Sequence, residues 1–335
     1  MATIDYANRC VDELVRTFHQ YLKEDTRLTP AEIIKGGSLG HGTAIPGDFD
    51  LDLVLYSRDI DPEVVLEIGV DNILDRLDVF LRRRLPEAYV HVKKTSFSLQ
   101  FKLNGVIDVD LLPSPYWGED PDQFHRFLED KGEKERMKFS CSAAKWQVKF
   151  FKEQPNEVKE YIKRFKAWRN LHWPKGQDAV GRPKSYLLGL LMIRAYEKSK
   201  DKSIQSIERE LKSMIRNHEK IDIKWNDGYY DWTYRLTREE FQSLLGNRFT
   251  LISSSNGVDV VYDNKQQRQR NYYPQKVPSI LDVANPFNDV YVSGIGNYHC
   301  KDPQGSFHPG TGKWSPLVGK IDTFSLSKPL EYYNN

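Results

Sequence analysis

Gly36-Gly37-Ser38-Leu39-Gly40 is followed, after Gly47-Asp48-Phe49, by Asp50-Leu51-Asp52-Leu53-Val54-Leu55. Side chains alternate along a strand, so Asp50 and Asp52 project from one face while Phe49, Leu51 and Leu53 take the other. Two carboxylates held that close repel unless a divalent cation lies between them. Hard oxygen ligands suit Mg²⁺, which completes its shell with water and substrate phosphates. The Gly-Ser turn leaves backbone N–H groups that approach a triphosphate with no Cβ in the way. Turn and acids together outline a site for metal-assisted chemistry on a nucleoside triphosphate. A surface strand with two solvated carboxylates would need no such turn.

A second Asp-x-Asp stands in Val106-Ile107-Asp108-Val109-Asp110-Leu111-Leu112. If this strand lies beside the first, one of its carboxylates completes a site for two cations, which activate an attacking hydroxyl and stabilise a leaving pyrophosphate. Asp108 and Asp110 share a face and only one is required. Asp110 directly precedes Leu-Leu-Pro.

Composition narrows the setting. The 335 residues, 39% hydrophobic and 29% charged, suit a soluble protein of two domains or one large bilobal one. A net charge of +2 implies no nucleic-acid partner by itself, so any basic surface is a local patch. Cys10, Cys141 and Cys300 lie far apart, with no C-x-x-C, which argues against a zinc module or a disulfide framework and suits a reducing compartment. No apolar run reaches the length of a membrane span and Met1 to Arg9 lacks a signal-peptide core, so the expected location is cytoplasmic.

The periodicity predicts an N-terminal helix through Ala7, Val11, Leu14, Phe18 and Leu22, broken at Thr29-Pro30. One helix is predicted from Asp61-Pro62 to Leu85, with Val64, Ile68, Ile73, Leu77 and Leu81 inward. Strands are predicted at Leu51–Tyr56, Tyr89–Val92, Ser96–Leu103 and Val106–Leu112, the last closed by Pro113. After about residue 140 the pattern turns helical, with Val158, Tyr161, Ile162, Phe165 and Trp168 on one face, then helices at Ser185–Ser199 and Ser203–Ile215. Gly176–Gly181 and Asp263–Gln275 read as loops, the second exposed, and the segment from Tyr291 shows no readable pattern. The fold class is therefore α+β, a mixed sheet lobe followed by a helical one.

Several of these stretches together resemble one family. Lys35 to Thr43, the Asp50 strand, Asp110-Leu111-Leu112-Pro113, Phe151-Lys152-Glu153-Gln154-Pro155, Phe165-Lys166-Ala167-Trp168 and Val277 to Pro286 are similar to the 2′-5′-oligoadenylate synthetases. These are related to the cyclic GMP-AMP synthase-like receptors. The resemblance implies a bilobal polymerase-β-like nucleotidyltransferase: a catalytic lobe over residues 1–153, a helical lobe over 154–335, the N-terminal helix as a spine and a cleft between the lobes.

By the same resemblance Asp50, Asp52 and Asp110 hold two catalytic Mg²⁺ ions, for which Mn²⁺ can substitute. Asp110 lies nearest the acceptor hydroxyl and Asp108 faces solvent or supports from behind. Gly37 and Ser38 bind the donor triphosphate, Lys166 reaches it, and Ser185 and Tyr186 meet the phosphate and the base. The implied reaction joins AMP from ATP to a 2′-hydroxyl, without template and with release of pyrophosphate, under activation by double-stranded RNA. Lys35 and Lys152 match RNA-contacting positions, and Lys145 and Lys149 continue the row at helical spacing.

The departures point elsewhere. His41 stands where the vertebrate enzymes have lysine and Ser185 where they have glutamine, and Ser-Tyr is nearer the cyclic-dinucleotide synthases. Glu157 and Val148 occupy positions that are basic in the vertebrate enzymes. The alternatives are a cyclic-dinucleotide synthase using other nucleoside triphosphates besides ATP, and a nucleic-acid-binding pseudoenzyme, against which all three carboxylates speak. The chain has no His-Cys-Cys-Cys insertion of the vertebrate cyclic GMP-AMP synthase kind.

Overall fold

Apolar residues at helical spacing build the first element of the computed structural model, which describes residues 3–46, 51–174, 182–225, 228–255, 258–295 and 314–333. Helix α1 (Ile4–Thr26) buries Ala7, Val11, Leu14, Phe18 and Leu22; the Thr3 side chain caps its start and Arg27, left-handed at φ 60, ends it. Strand β1 (Pro30–Lys35), the single turn α2 (Gly37–Gly40) and β2 (Leu51–Ser57) follow. Next come α3 (Pro62–Ile68) and α4 (Asp71–Arg84), where the spacing predicts one helix. Gly69 turns the chain at φ 77 between them, so the inward face restarts. Val64 and Ile68 are exposed as a result, while Ile73, Leu77 and Leu81 are buried.

Strands β3 (Tyr89–Lys94), β4 (Leu99–Leu103) and β5 (Ile107–Pro115) complete a five-stranded sheet in the order β1-β2-β5-β4-β3. Asn104 and Gly105, both at positive φ, make the tight turn between β4 and β5. Strand β5 continues through Pro113 instead of closing before it. Partner β4 ends opposite Leu111, so only the β2 side remains paired there and the missing N–H costs little. Strands β2 and β5 run parallel; the other pairs are antiparallel.

One face of this sheet is apolar throughout: Leu51, Leu53, Leu55, Leu99, Phe101, Leu103, Val109 and Leu111 are all buried. Elsewhere in the unit α1 and α4 are joined by the stacked rings of Phe18 and Phe80. After α5 (Asp122–Glu129) and α6 (Glu133–Met137) comes α7 (Ala144–Glu153). Its Ala144 packs with Val54 and Tyr56 on the opposite sheet face, and the Tyr56 hydroxyl donates to the Ser142 carbonyl at 3.0 Å.

Helix α8 (Asn156–His172) buries Val158, Ile162, Phe165 and Trp168 as its spacing predicts. The chain divides into two compact units within this helix, residues 1–124 with 131–163 and residues 125–130 with 164–335. The second unit holds α9 (Ser185–Lys198), α10 (Ile204–Arg216), β6 (Asp222–Ile223), α11 (Arg238–Leu244), β7 (Phe249–Ser255), β8 (Val258–Asp263), β9 (Arg268–Tyr272), β10 (Ser279–Ile280), α12 (Val290–Ser293) and α13 (Ser315–Lys320). It is therefore not purely helical, because β7, β8 and β9 form an antiparallel sheet. Strand β7 is an edge of that sheet, with Leu251 and Ile252 exposed and a register shift between Leu251 and Ser253.

The stretch Asp263–Gln275, which reads as an exposed loop, includes all of β9. Asp263, Arg268 and Arg270 are paired inside the unit. Asp263 accepts from Arg248 at 3.0 Å and Arg270 at 2.8 Å, and Glu129 accepts from Arg270 at 3.2 Å. Arg270 and Asp263 are both buried. Burial alone would raise the Asp231 carboxyl, but Arg248 and Thr233 more than offset it and bring its pKa to about 2. Its stabilising contribution is complete above the ordinary carboxylate range and is lost as pH falls toward about 2. We predict that Arg248→Met destabilises the second unit by on the order of 3 kcal/mol near neutral pH, because it takes the guanidinium from Asp231 and one of two from buried Asp263. Denaturant titrations should show that deficit shrinking between pH 4 and 2.

Candidate active site

The two acidic strands are neighbours. Parallel pairing of β2 with β5 sets Asp52 opposite Asp110, so the two carboxylates leave the same face side by side. Farther along that face, Val54 and Tyr56 are buried, whereas Asp52 and Asp110 remain partly exposed. On the other flank Gln100 lies opposite Asp110 and Lys102 opposite Asp108. Lys102 Nζ sits 2.6 Å from Asp108 Oδ1, and both side chains are solvated. Asp110, then, is the acid beside Asp52, and Asp108 faces solvent. Asp50 lies outside the described residues, as do Gly47, Asp48 and Phe49. Among the described residues no three His, Cys, Asp or Glu side chains gather as a metal site. Two carboxylates on adjacent strands do fit a hard divalent cation: like charges at strand spacing repel, and oxygen donors are what such an ion takes.

The glycine turn is tied directly to this strand. Gly36 N–H donates to the Asp52 carbonyl at 2.6 Å, so the turn starts where the acid stands. Gly37 adopts φ 57, which favours glycine. A Cβ on Gly40 would fall 2.0 Å from the Lys35 carbonyl oxygen and 3.1 Å from Val148 of α7. Ser38 is half-buried, and its backbone carbonyl accepts from Thr43 N–H at 2.9 Å. The His41 ring turns inward and stacks on Phe151 of α7, centroids 4.1 Å apart. Position 41 is here a packing contact.

The row of lysines separates by environment. Lys35 is held to α1, its Nζ 2.8 Å from Asp12. Lys145 lies between Glu32 at 3.2 Å and Glu119 at 3.5 Å and faces the rings of Tyr116 and Trp146, with its side chain 9% exposed. Burial, and then the hydrogen bond to Glu119, raise the Glu32 carboxyl above its ordinary pKa. Lys149 and Lys152 are exposed on α7.

In the second unit Lys166 is buried, at 1% exposure. Ser185 opens α9 and accepts from Arg169 Nη1 at 3.0 Å. The Tyr186 hydroxyl is buried beside Asp282; burial first, then that carboxylate, push its pKa well up and keep it protonated. Asp282 is itself buried and accepts from Ala284 N–H at 2.8 Å and Asn288 Nδ2 at 3.0 Å, which explains the Leu281-Asp282-Val283-Ala284-Asn285 stretch as a turn that anchors Tyr186. Arg169 was not among the residues the sequence singles out, although it lies four residues after Phe165 and so falls on the buried face of α8.

The family described as 2′-5′-oligoadenylate synthetase 1, domain 2, C-terminus, matches residues 119–253. The chain is 23% identical over 304 residues to 2′-5′-oligoadenylate synthase 2 of Mus musculus, across 84% of this chain and 36% of that protein. It is 23% identical over 244 residues to 2′-5′-oligoadenylate synthase 1A of Rattus norvegicus, across 61% of this chain and 63% of that one. The chain is thus similar to the 2′-5′-oligoadenylate synthases. Its fold is similar to that of E. coli MS115-1 CdnC solved in a complex with HORMA-deltaN, with a TM-score of 0.57 at 16% identity over 96% of this chain and 82% of the other. CdnC solved with ATP gives 0.56 at 17% identity, over 95% and 83%. The chain spans between about a third and under two thirds of these two synthases' lengths. Among its described residues no helix is long and apolar enough to cross a membrane. We predict that Gly40→Ala lowers stability by about 1–3 kcal/mol, since the backbone of β1 must move to admit a methyl group. Thermal melting checks it, and Gly105→Ala, with open space around its Cβ position, serves as the control for backbone strain alone.

Proposed function

We propose that this protein transfers AMP from ATP to the 2′-hydroxyl of an acceptor nucleotide, releasing pyrophosphate and building 2′-5′-linked oligoadenylates. The observation that carries the reading is the register of Asp52 with Asp110, next to a glycine turn bonded to the Asp52 backbone. Asp52 and Asp110, with Asp50, would hold two Mg²⁺ ions. Bound there, the ions supply charge neutralisation at the α-phosphate and lower the pKa of the attacking hydroxyl. The chain's own residues do the rest. Asp110 lies nearest the acceptor hydroxyl. Gly37 and Ser38 offer backbone N–H groups and a hydroxyl to the triphosphate, which the bare turn admits closely. In the second unit Lys166 supplies a buried positive charge for the phosphates, Ser185 a hydroxyl, and Tyr186 a ring fixed at its far end by Asp282 for the base.

A second reading, synthesis of a cyclic dinucleotide, is favoured by Ser185 preceding Tyr186 where the vertebrate synthetases have glutamine. It uses the same acids and differs in whether the first product turns round and closes. Products made from ATP alone and from mixed nucleoside triphosphates separate the two: phosphatase trims a linear ladder and leaves a ring intact. Asp52→Asn is expected to abolish pyrophosphate release, at least 1000-fold, while the melting temperature stays level or rises as like-charge repulsion is relieved. Substantial turnover in that variant would sink the metal assignment.

Double-stranded RNA is the proposed activator, read by phosphate and 2′-hydroxyl contacts. The footprint centres on Lys149 and Lys152 with Lys35 near it, and sets Lys145 aside because Glu32 and Glu119 already hold its amine. Helix α7 offers the coupling, since Val148 abuts Gly40 and Phe151 stacks on His41 between those exposed lysines. RNA then activates only if it binds the active arrangement of that turn better than the idle one. The double variant Lys149→Glu with Lys152→Glu is expected to reduce the RNA-stimulated rate far more than the rate without RNA, with stimulation falling steeply as salt is added. Equal rates with and without RNA in the wild type would remove RNA from the scheme.

A further inference from the structure

Lys166 and Arg169 stand one turn apart on α8 and are both buried, at 1% and 3% exposure. The Arg169 guanidinium is held on two sides. Its Nε and Nη2 donate to Asn170 Oδ1 at 3.0 and 2.8 Å, and its Nη1 donates to the Pro183 carbonyl at 3.2 Å and to Ser185 Oγ at 3.0 Å. Arg182 completes the frame, with Nη2 2.9 Å from the same Asn170 oxygen and Nε 3.0 Å from the Trp173 carbonyl. The plane of the guanidinium is therefore set by neighbours on α8 and by the segment entering α9.

This arrangement fixes a polarity. A guanidinium can only donate, so Ser185 Oγ must accept. A serine hydroxyl has one hydrogen and two lone pairs, and that hydrogen is left to point away from Arg169. Donation from a cation also polarises the hydroxyl and makes it the stronger donor. Ser185 is the first residue of the 14-residue α9, after Lys184, which makes no side-chain cap bond. First-turn N–H groups and the positive end of the helix dipole face the same side. The hydroxyl hydrogen of Ser185 and the first-turn N–H groups of α9 are thus donors at one helix end.

We infer that Arg169 is a positioning residue that orients the Ser185 hydroxyl, turning its hydrogen away from the guanidinium and toward a phosphate oxygen of the donor nucleotide. With one lone pair taken by the arginine, the hydroxyl still has its hydrogen to donate, aimed away from the cation. The inference rests on the proposed donor role of Ser185, and the test keeps the two apart. KM and kcat for ATP are measured for Arg169→Lys, Ser185→Ala and the double variant, with thermal stabilisation by ATP as the binding readout. Each single change is expected to raise KM about tenfold and more than it lowers kcat, the loss of one charge-assisted bond. The double variant should be no more than about twofold worse than Ser185→Ala, because Arg169 acts through that hydroxyl. Losses that multiply, or an Arg169→Lys variant with wild-type KM beside an impaired Ser185→Ala, would overturn the positioning role alone. An unchanged KM in Ser185→Ala would overturn the donor role and this inference with it. If Arg169→Lys melts too early to assay, Arg169→Gln replaces it, since its amide still donates to Oγ. A KM between wild type and Ser185→Ala then supports the inference, and one at or above Ser185→Ala refutes it.

Discussion

Parallel pairing of β2 with β5 is the constraint on which the rest of the molecule turns. It sets two carboxylates at strand spacing, an arrangement that opposes folding unless the surroundings enforce it. Enforcement comes from both faces of the sheet. Leu51, Leu53, Val109 and Leu111 are buried on one side, and a slip of one residue would bring that whole apolar set to the acid face. On the other side Tyr56 reaches the backbone under α7 and holds the far end of the strand. The glycine turn then starts from the Asp52 carbonyl itself, so acid and turn share one anchor.

The second unit solves a different problem, keeping several charges out of water without stranding any of them. Arg248, Asp231, Asp263, Arg270 and Glu129 form a connected set in which each carboxylate faces a guanidinium. Tyr234 and Tyr272 add their ring faces to Arg270. The same economy recurs at the start of α9, where the amide oxygen of Asn170 receives two arginines. Rigidity in this unit comes from polar frames as much as from its apolar helices.

How much of this the sequence disclosed depends on whether the signal was local. The strand alternation around Asp52 and Asp110 is local, and so is the spacing of Val158, Ile162, Phe165 and Trp168; both carry into the structure. Adjacency of the acidic strands needed only the guess that two similar strands pair. The run Asp263–Gln275 misled because its polarity reads as solvation, when the partners that bury it, Glu129 and Arg248, lie far away in sequence. The break at Gly69 was a single glycine in an otherwise helical pattern. Lys145 and Lys152 look alike as members of a lysine row, and only distant Glu32 and Glu119 distinguish them. Arg169 was hidden by charge: its position is an inward one, but arginine is seldom placed there unless paired.

Strand β7 bears on how the protein behaves in concentrated solution. An edge strand with two exposed apolar side chains is a template on which a second chain can lay down hydrogen bonds, the first step of sheet-to-sheet association. The register shift between Leu251 and Ser253 breaks that template midway. A bulge bends the strand and spoils the even spacing of its outward groups, so an incoming strand finds only short matching stretches on either side. One extra residue in a seven-residue strand thus interrupts the edge, independently of the chemistry carried out elsewhere in the molecule.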